Sequence, residues 1–231
     1  MEAAAYSTET VGNVLNERTI PVGLDFEEEE EIADSLGVRA IPAGVVVNPA
    51  SGRAFDRVEY EEDPEALARR LSGMLDRYAA AQVEAERLTG ESLAASEDAL
   101  LHYRAAEAII AAAGSYAEAL PHYDAAIHLD PENRTGKRDW ARFRLAGYRY
   151  EMDKDGARAS GELGALLADL DAAAVKDPDL LGETLFGLAV VELHRRETAK
   201  GVALLKRLVA ELPEHARAKY CIENKILERF E

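Results

Sequence analysis

The chain has 231 residues, with 27 basic and 44 acidic side chains, so its net charge is −17. This acidity disfavours binding to nucleic acids and to anionic membranes, because like charges repel. No apolar run approaches the roughly 18 residues of a membrane span, and the first residues lack the pattern of a signal peptide. The single cysteine, Cys221, excludes an internal disulfide. We therefore predict a soluble, cytoplasmic protein, unless a targeting segment precedes Met1.

Charge and composition both change between Arg70 and Glu97. Residues 1–80 carry 17 acidic and 7 basic side chains and contain stretches rich in Val, Gly and Pro, whereas Ala and Leu dominate the remainder. This change predicts two kinds of structure, α/β first and all-α afterwards. The predicted domains are an α/β domain over 1–78, a helical linker over 79–96 and helical repeats with a C-terminal capping helix over 97–231.

The first 75 residues alternate between patterns typical of helices and of strands. Gly37 is a left-handed stop for a helix, and Asn48–Gly52 is typical of a hairpin turn. Asp63 followed by Pro64 favours a helix start. In chain order we expect a helix at Glu9–Arg18, a strand at Thr19–Asp25, a helix at Glu27–Leu36, strands at Gly44–Val47 and Arg53–Tyr60, and a helix from Pro64.

The stretch from Tyr6 to Leu75 resembles the later two-thirds of a thioredoxin-like domain. The matching pieces are VLNERTIPVGLD, IADSLGVRAIPAGVVVNPASG and DPEALARRL. The resemblance implies a cis peptide bond between Ile41 and Pro42. The family's central first strand and its Trp-Cys-x-x-Cys turn are not in this chain, so we expect Met1 to match an internal methionine of the family. One edge of the strand at Thr19–Asp25 is then left without a neighbouring strand. A homodimer through the incomplete sheet would supply one.

The next segment resembles a tetratricopeptide repeat (TPR), a pair of helices of about 34 residues. Placing Pro131 at position 32 puts position 1 at Leu100. The packing positions of this repeat are then Tyr103, Ala106, Ala119, Tyr123 and Ala126. Small residues at these positions let two helices approach each other closely, and the aromatic residues fill the remaining space.

Later prolines mark further repeats. Pro178 and Pro213 are 35 residues apart, and between them Gly201 replaces the usual alanine and Arg196 the usual turn glycine. The interval from Pro131 to Pro178 is longer, at 47 residues, which predicts either a lengthened first helix, the one that holds Trp140, Phe143 and Tyr150, or a long turn at 152–161. We expect three helix pairs, joined to the first domain by a helix at Asp76–Leu88 and closed by a helix at Arg217–Phe230.

Basic residues cluster between Arg134 and Lys154, against the acidic background. The TPR resemblance implies a concave groove for a protein or peptide partner, in which arginines bind the carboxylates of an acidic peptide. The alternative is that these bases only neutralise nearby acidic residues of the same chain. The candidate groove residues are Arg104, Arg138, Arg142, Leu145, Tyr148, Arg149, Phe186 and His194.

No sequence pattern indicates a catalytic set, a metal site or a cofactor. Zinc-binding histidines on one helix are often four residues apart, and none of the five histidines has this spacing. They are His102, His122, His128, His194 and His215. A lone cysteine is usually a small hydrophobic residue, so we interpret Cys221 in this way, with a redox-sensing thiol as the weaker alternative.

We therefore predict a protein–protein interaction module of a thioredoxin-like/TPR hybrid protein, without catalysis in the chain as given. The alternative is a truncated member of the thioredoxin family whose full-length form is a thiol–disulfide oxidoreductase. Dithiol chemistry needs two thiols, one to attack and one to resolve the mixed disulfide. The sequence upstream of Met1 would distinguish the two hypotheses.

Overall fold

The computed structural model describes residues 5–25, 28–39, 43–58, 61–173 and 177–230. These residues are mostly helical and include a small two-stranded antiparallel sheet, which is compatible with a class of α/β plus all-α. None of the helices in these ranges has both the length and the apolar character needed to cross a membrane. The elements are α1 (Glu9–Arg18), α2 (Glu30–Ser35), β1 (Gly44–Val47), β2 (Ala54–Val58), α3 (Pro64–Ala94), α4 (Ala99–Ala111), α5 (Tyr116–Leu129), α6 (Arg138–Asp153), α7 (Gly156–Ala172), α8 (Pro178–His194), α9 (Thr198–Glu211), α10 (Ala216–Glu223) and a 3₁₀ helix (Leu227–Phe230).

The chain divides into two compact units, which are described separately. Unit 1 holds Met1–Ser96 and Arg104–Ala119, and unit 2 holds Glu97–Tyr103 and Leu120–Glu231. Both α4 and α5 therefore contribute residues to each unit. The helix predicted as a linker is part of α3, which continues without a break through residue 78. The domain boundaries predicted at residues 78 and 96 stay predictions.

Helix α3 organises the core of unit 1. It begins where the sequence predicts, because the Asp63 carboxylate accepts a hydrogen bond from the Glu65 N–H at 3.0 Å and Pro64 occupies the first turn. One face of α3 packs against α1 and against the hairpin of β1 and β2. The buried residues of this core are Ala5, Val11, Val58, Leu67, Ala68, Leu71 and Met74.

The hairpin forms as the sequence predicts, although its second strand begins one residue later than expected. Gly44 pairs with Val58, and the pairing runs antiparallel to Val47 and Ala54. In the turn, Gly52 has a φ of +70°, a backbone conformation that glycine adopts without strain. The predicted second strand extended from residue 53 to 60, whereas β2 covers 54–58 and residues 59 and 60 lie outside the described ranges.

Side chains of the hairpin turn bind the backbone that follows α4, within unit 1. The Asn48 amide donates to the Ala112 carbonyl at 3.3 Å, and the Ser51 hydroxyl donates to the Ala113 carbonyl at 2.5 Å. Arg53 donates to the next carbonyl, that of residue 114, at 2.5 Å. These carbonyls end a helix and have no partner within it, so the turn supplies the hydrogen bonds that they lack.

Two predictions for the region between α1 and β1 need correction. The strand predicted at Thr19–Asp25 is wrong, because this segment pairs with no described strand, and a strand is stable only when its backbone groups find a neighbour. Helix α2 is shorter than predicted and ends before Gly37, whose φ of +72° is the left-handed stop that the sequence predicts. The proposed cis peptide at Ile41–Pro42 lies outside the described residues.

Unit 2 is built from successive helices that pack against their neighbours, in the order α6, α7, α8, α9 and α10. Trp140 of α6 also donates its indole N–H to the carboxylate of Asp177 at 3.0 Å, and Asp177 caps the start of α8. The extra residues between Pro131 and Pro178 are not in a long turn at 152–161, since α6 and α7 are joined by only two residues. The first helix is longer, as predicted, since α6 has 16 residues against 13 in α4. Helix α7 is also longer, with 17 residues against 14 in α5, and further residues form the loop before α6.

The turn between α8 and α9 shows how the two unusual residues of this repeat are accommodated. Arg196 has a φ of +65°, so it adopts the left-handed conformation for which glycine is expected. A Cβ atom at Gly201 would lie 2.7 Å from Cγ of Leu193, so glycine here lets α9 approach α8 closely. The last helix predicted at Arg217–Phe230 is instead two elements, α10 and the 3₁₀ helix, with a turn at 224–226.

Two glycines in helices of unit 2 should respond oppositely to alanine. A Cβ atom at Gly182 would lie 2.7 Å from the ring of His215, whose Nδ1 caps α10, whereas nothing lies within 4 Å of one at Gly161. We expect Gly182→Ala to reduce the free energy of unfolding by about 1–3 kcal/mol. Gly161→Ala should raise it by about 0.5–1 kcal/mol, because alanine favours helix. Urea denaturation measures both, and equal effects of the two variants would contradict the close packing at Gly182.

Candidate functional site

Two arginines of α6 that the sequence places in a groove form ion pairs inside unit 2. Arg138 and Arg142 both bind Asp139, with N–O distances of 2.8 and 3.2 Å. Arg142 also binds Asp169 at 2.8 Å, and Arg138 donates a hydrogen bond to the carbonyl of Pro131. The side chain of Asp139 is only 10% exposed. The positive charges of both arginines are therefore balanced within the chain.

Arg149 lies on the same helix and links α5 to α7. One of its guanidinium nitrogens contacts both carboxylate oxygens of Asp124, at 3.0 and 3.2 Å, and another lies 3.5 Å from Glu162. Glu162 also binds Arg158 at 3.0 Å. The three α6 arginines that are groove candidates thus belong to two separate ion-pair clusters, which favours charge compensation over a groove that binds acidic peptides.

The remaining groove candidates occupy different environments. Leu145 is buried, with 6% exposure, because it faces the neighbouring helices, so a peptide would not reach it. Tyr148 is half-buried, and its ring lies 5.9 Å from that of Tyr123. His194 is exposed, with Nδ1 2.9 Å from the hydroxyl of Tyr150. Arg104 is exposed and belongs to unit 1, whereas the other seven candidates belong to unit 2.

Phe186 of α8 is part of a surface that the sequence reasoning missed. Its ring meets that of Tyr220 edge to face, with centroids 6.2 Å apart, and the Arg217 guanidinium lies 4.9 Å from its centroid. Arg217 also binds Glu183 at 3.0 Å. We call these four residues the α8–α10 surface. Each α8 residue contacts a residue 34 positions later, and this offset, equal to one TPR repeat, is the sequence signal that would have revealed Arg217 and Tyr220.

Two histidines meet across consecutive helices in unit 2, although their sequence spacing does not suggest it. Nδ1 of His102 on α4 and Nδ1 of His122 on α5 are 3.1 Å apart, and His102 is 7% exposed. Burial lowers the pKa of His122, and the neighbouring His102 lowers it further. No group of three or more metal-binding side chains occurs among the residues that the structure describes, so no third protein ligand joins the pair there.

Cys221 lies on α10 and is buried. Burial raises the pKa of its thiol, and the nearby Arg217 offsets only part of this effect. The thiol is therefore mostly protonated at neutral pH, whereas the thiolate is the reactive form. This environment favours the interpretation of Cys221 as a packing residue.

Comparisons of the chain with protein-family models, with curated proteins and with solved structures give no significant match. The thioredoxin-like and TPR resemblances thus depend on the residues of this chain alone.

The pair of Arg149 and Asp124 should contribute measurably to stability. The Arg149 side chain is 23% exposed, so water screens the pair only in part. A double-mutant cycle with Arg149→Ala and Asp124→Ala should give a coupling free energy of about 0.5–1.5 kcal/mol. The matched control is Arg134 with Glu132, which are 79% and 67% exposed and should couple by less than about 0.5 kcal/mol. Equal coupling free energies in both cycles would contradict the partial shielding of the Arg149–Asp124 pair from water.

The histidine pair should make unit 2 sensitive to acid. Because the pKa of His122 is lower in the folded protein than the ordinary value of 6.5, the unfolded chain binds a proton first. Stability is thus fully present above pH 6.5 and is lost as the pH falls towards the lowered pKa, by at most about 1.4 kcal/mol per pH unit. His122→Gln should flatten the decrease of stability between pH 7 and 5.5. The variant His128→Gln, at an exposed position, serves as the control. If stability falls as steeply with pH in His122→Gln as in the wild type, His122 is not the group that causes the acid sensitivity.

Proposed function

We propose that this protein is a protein–protein interaction module in which TPR-like helices follow a thioredoxin-like α/β unit, and that unit 2 binds a segment of a partner protein. The observation that carries the proposal is the α8–α10 surface. There, aromatic and charged side chains of two helices, spaced by one repeat length, gather on one exposed face. Surfaces that bind proteins are enriched in Tyr, Phe and Arg.

The packing of small residues supports the TPR-like part of the proposal. Every residue that the repeat pattern places at a packing position is buried in the structure. These residues are Tyr103, Ala106, Ala119, Tyr123 and Ala126. The thioredoxin-like part has weaker support, which comes from the hairpin of β1 and β2 and the capped start of α3 at their predicted positions.

The chemistry of the α8–α10 surface suits an apolar or aromatic side chain of a partner. Tyr220 is 49% exposed, and its ring meets that of the half-buried Phe186 edge to face, an arrangement that a further aromatic side chain can extend. Glu183 fixes Arg217 in place, so little side-chain entropy is lost on binding. The oxidoreductase alternative places its catalytic cysteines before Met1, so the environment of Cys221 does not bear on it and weighs only against a redox-sensing thiol.

Peptides selected from a display library against the whole protein test this function. For a selected peptide, Tyr220→Ala should weaken binding at least about tenfold, since exposed tyrosines at interface centres often contribute more than 1.4 kcal/mol. Fluorescence anisotropy with the labelled peptide measures the dissociation constant, and circular dichroism verifies that the variants stay folded.

The matched control is Ile222→Ala on the same helix. Ile222 is 53% exposed, and a two-residue offset places it about 200° around the helix from Tyr220. Its affinity for the peptide should stay within about threefold of the wild type. Peptides that bind Tyr220→Ala as tightly as the wild type would show that the α8–α10 surface is not the binding face.

A further inference from the structure

The segment between α1 and α2 exposes an unusual row of apolar side chains. Ile20, Val22 and Leu24 are 91%, 74% and 49% exposed. The segment forms neither helix nor turn, and Thr19 at its start is extended, with φ −140° and ψ 172°. Gly23 does not adopt a left-handed backbone, and nothing lies within 4 Å of its Cβ position. The segment is therefore exposed along its length and forms no helix or turn that would have to unfold before it could pair as a strand.

Strand geometry sorts this segment into two faces and two edges. Residues two apart share a face, so Ile20, Val22 and Leu24 project to the same side. They also direct their N–H and C=O groups to the same edge, while Pro21 and Gly23 direct theirs to the other. Because proline has no N–H, the edge that holds Pro21 cannot form a full set of hydrogen bonds. Only the edge with Val22 at its centre can pair completely.

We propose that this segment pairs antiparallel with the same segment of a second copy of the chain, with Val22 on the two-fold axis. In this register Ile20 of each copy lies opposite Leu24 of the other, so the apolar row matches itself. No residue from Thr19 to Leu24 is charged, and Asp25 falls opposite Thr19, so no like charges meet. The pairing forms about six backbone hydrogen bonds.

Pro21 explains why the assembly stops at two copies. In the dimer its edge faces outward, and an edge without a complete set of donors does not recruit a third strand. Three apolar side chains from each copy bury less than the roughly 1,200 Å² typical of stable interfaces. The dimer is therefore weak, with a dissociation constant in the micromolar to millimolar range. It forms independently of partner binding by unit 2.

Cysteine cross-linking tests the register in the full-length chain. Opposite residues of a hydrogen-bonded pair have Cα atoms about 5.5 Å apart, within reach of a disulfide, whereas two copies of Ile20 would be roughly 13 Å apart. Under mild oxidation Val22→Cys should form covalent dimers. Ile20→Cys or Leu24→Cys alone should form at least tenfold fewer, while an equal mixture of the two should form a mixed dimer. The wild type, whose one cysteine is buried, is the blank.

Sedimentation equilibrium tests the association without cross-links. From about 10 μM to 1 mM, the apparent mass of the wild type and of Gly23→Ala should rise towards that of a dimer. Val22→Pro, which removes the central N–H donor, should weaken dimerisation at least fivefold. A wild type that is monomeric throughout, or Val22→Cys that cross-links no faster than Ile20→Cys alone, would overturn the proposal. The apolar row would then be a candidate contact surface for a different protein and not for a second copy of this chain.

Discussion

The carbonyl groups directly after α4 need hydrogen-bond donors, and the hairpin turn of unit 1 supplies them. The side chains of Asn48, Ser51 and Arg53 bind three successive carbonyls that are more than 60 residues away in sequence. Since α3 holds the hairpin on its other side, the turn joins the sheet, α3 and the α4–α5 turn into one unit. This constraint explains why residues 104–119 belong to unit 1 although their composition is that of the helical region.

The acidic charge of the chain imposes a second constraint, because a basic side chain often has an acidic side chain within reach. With a net charge of −17, three of the α6 arginines find acidic neighbours nearby: Arg138 and Arg142 pair with Asp139, and Arg149 pairs with Asp124 and Glu162. Within this cluster, the ion pairs of Arg142 with Asp169 and of Arg149 with Asp124 and Glu162 join different helices. The proposed binding function depends on the half-buried Phe186 and the exposed Tyr220, on α8 and α10, rather than on α6.

Elements with strong local signals could be predicted, and elements without a local partner could not. The bounds of α1 and β1 and the cap of α3 agree with the prediction, because helix periodicity, β-branched runs and a capping aspartate act within a few residues. The strand at 19–25 has an equally good local pattern, but a strand also needs a neighbour, which pattern alone does not provide. The candidate site shows the same division: Phe186 was predicted, whereas its contacts with Arg217 and Tyr220 depend on the packing of α10 against α8.

Sequence patterns were sufficient to predict α1, β1, the capped start of α3, the stop at Gly37, the hairpin turn and the buried small residues of the first repeat. These properties depend on backbone preferences and on apolar spacing, which are local. The contacts of His102 with His122 and of Arg149 with Asp124 could not be predicted from the sequence. Such contacts join residues on different helices, and their free energies depend on burial and on distances of a few ångströms, which become defined only when the helices pack.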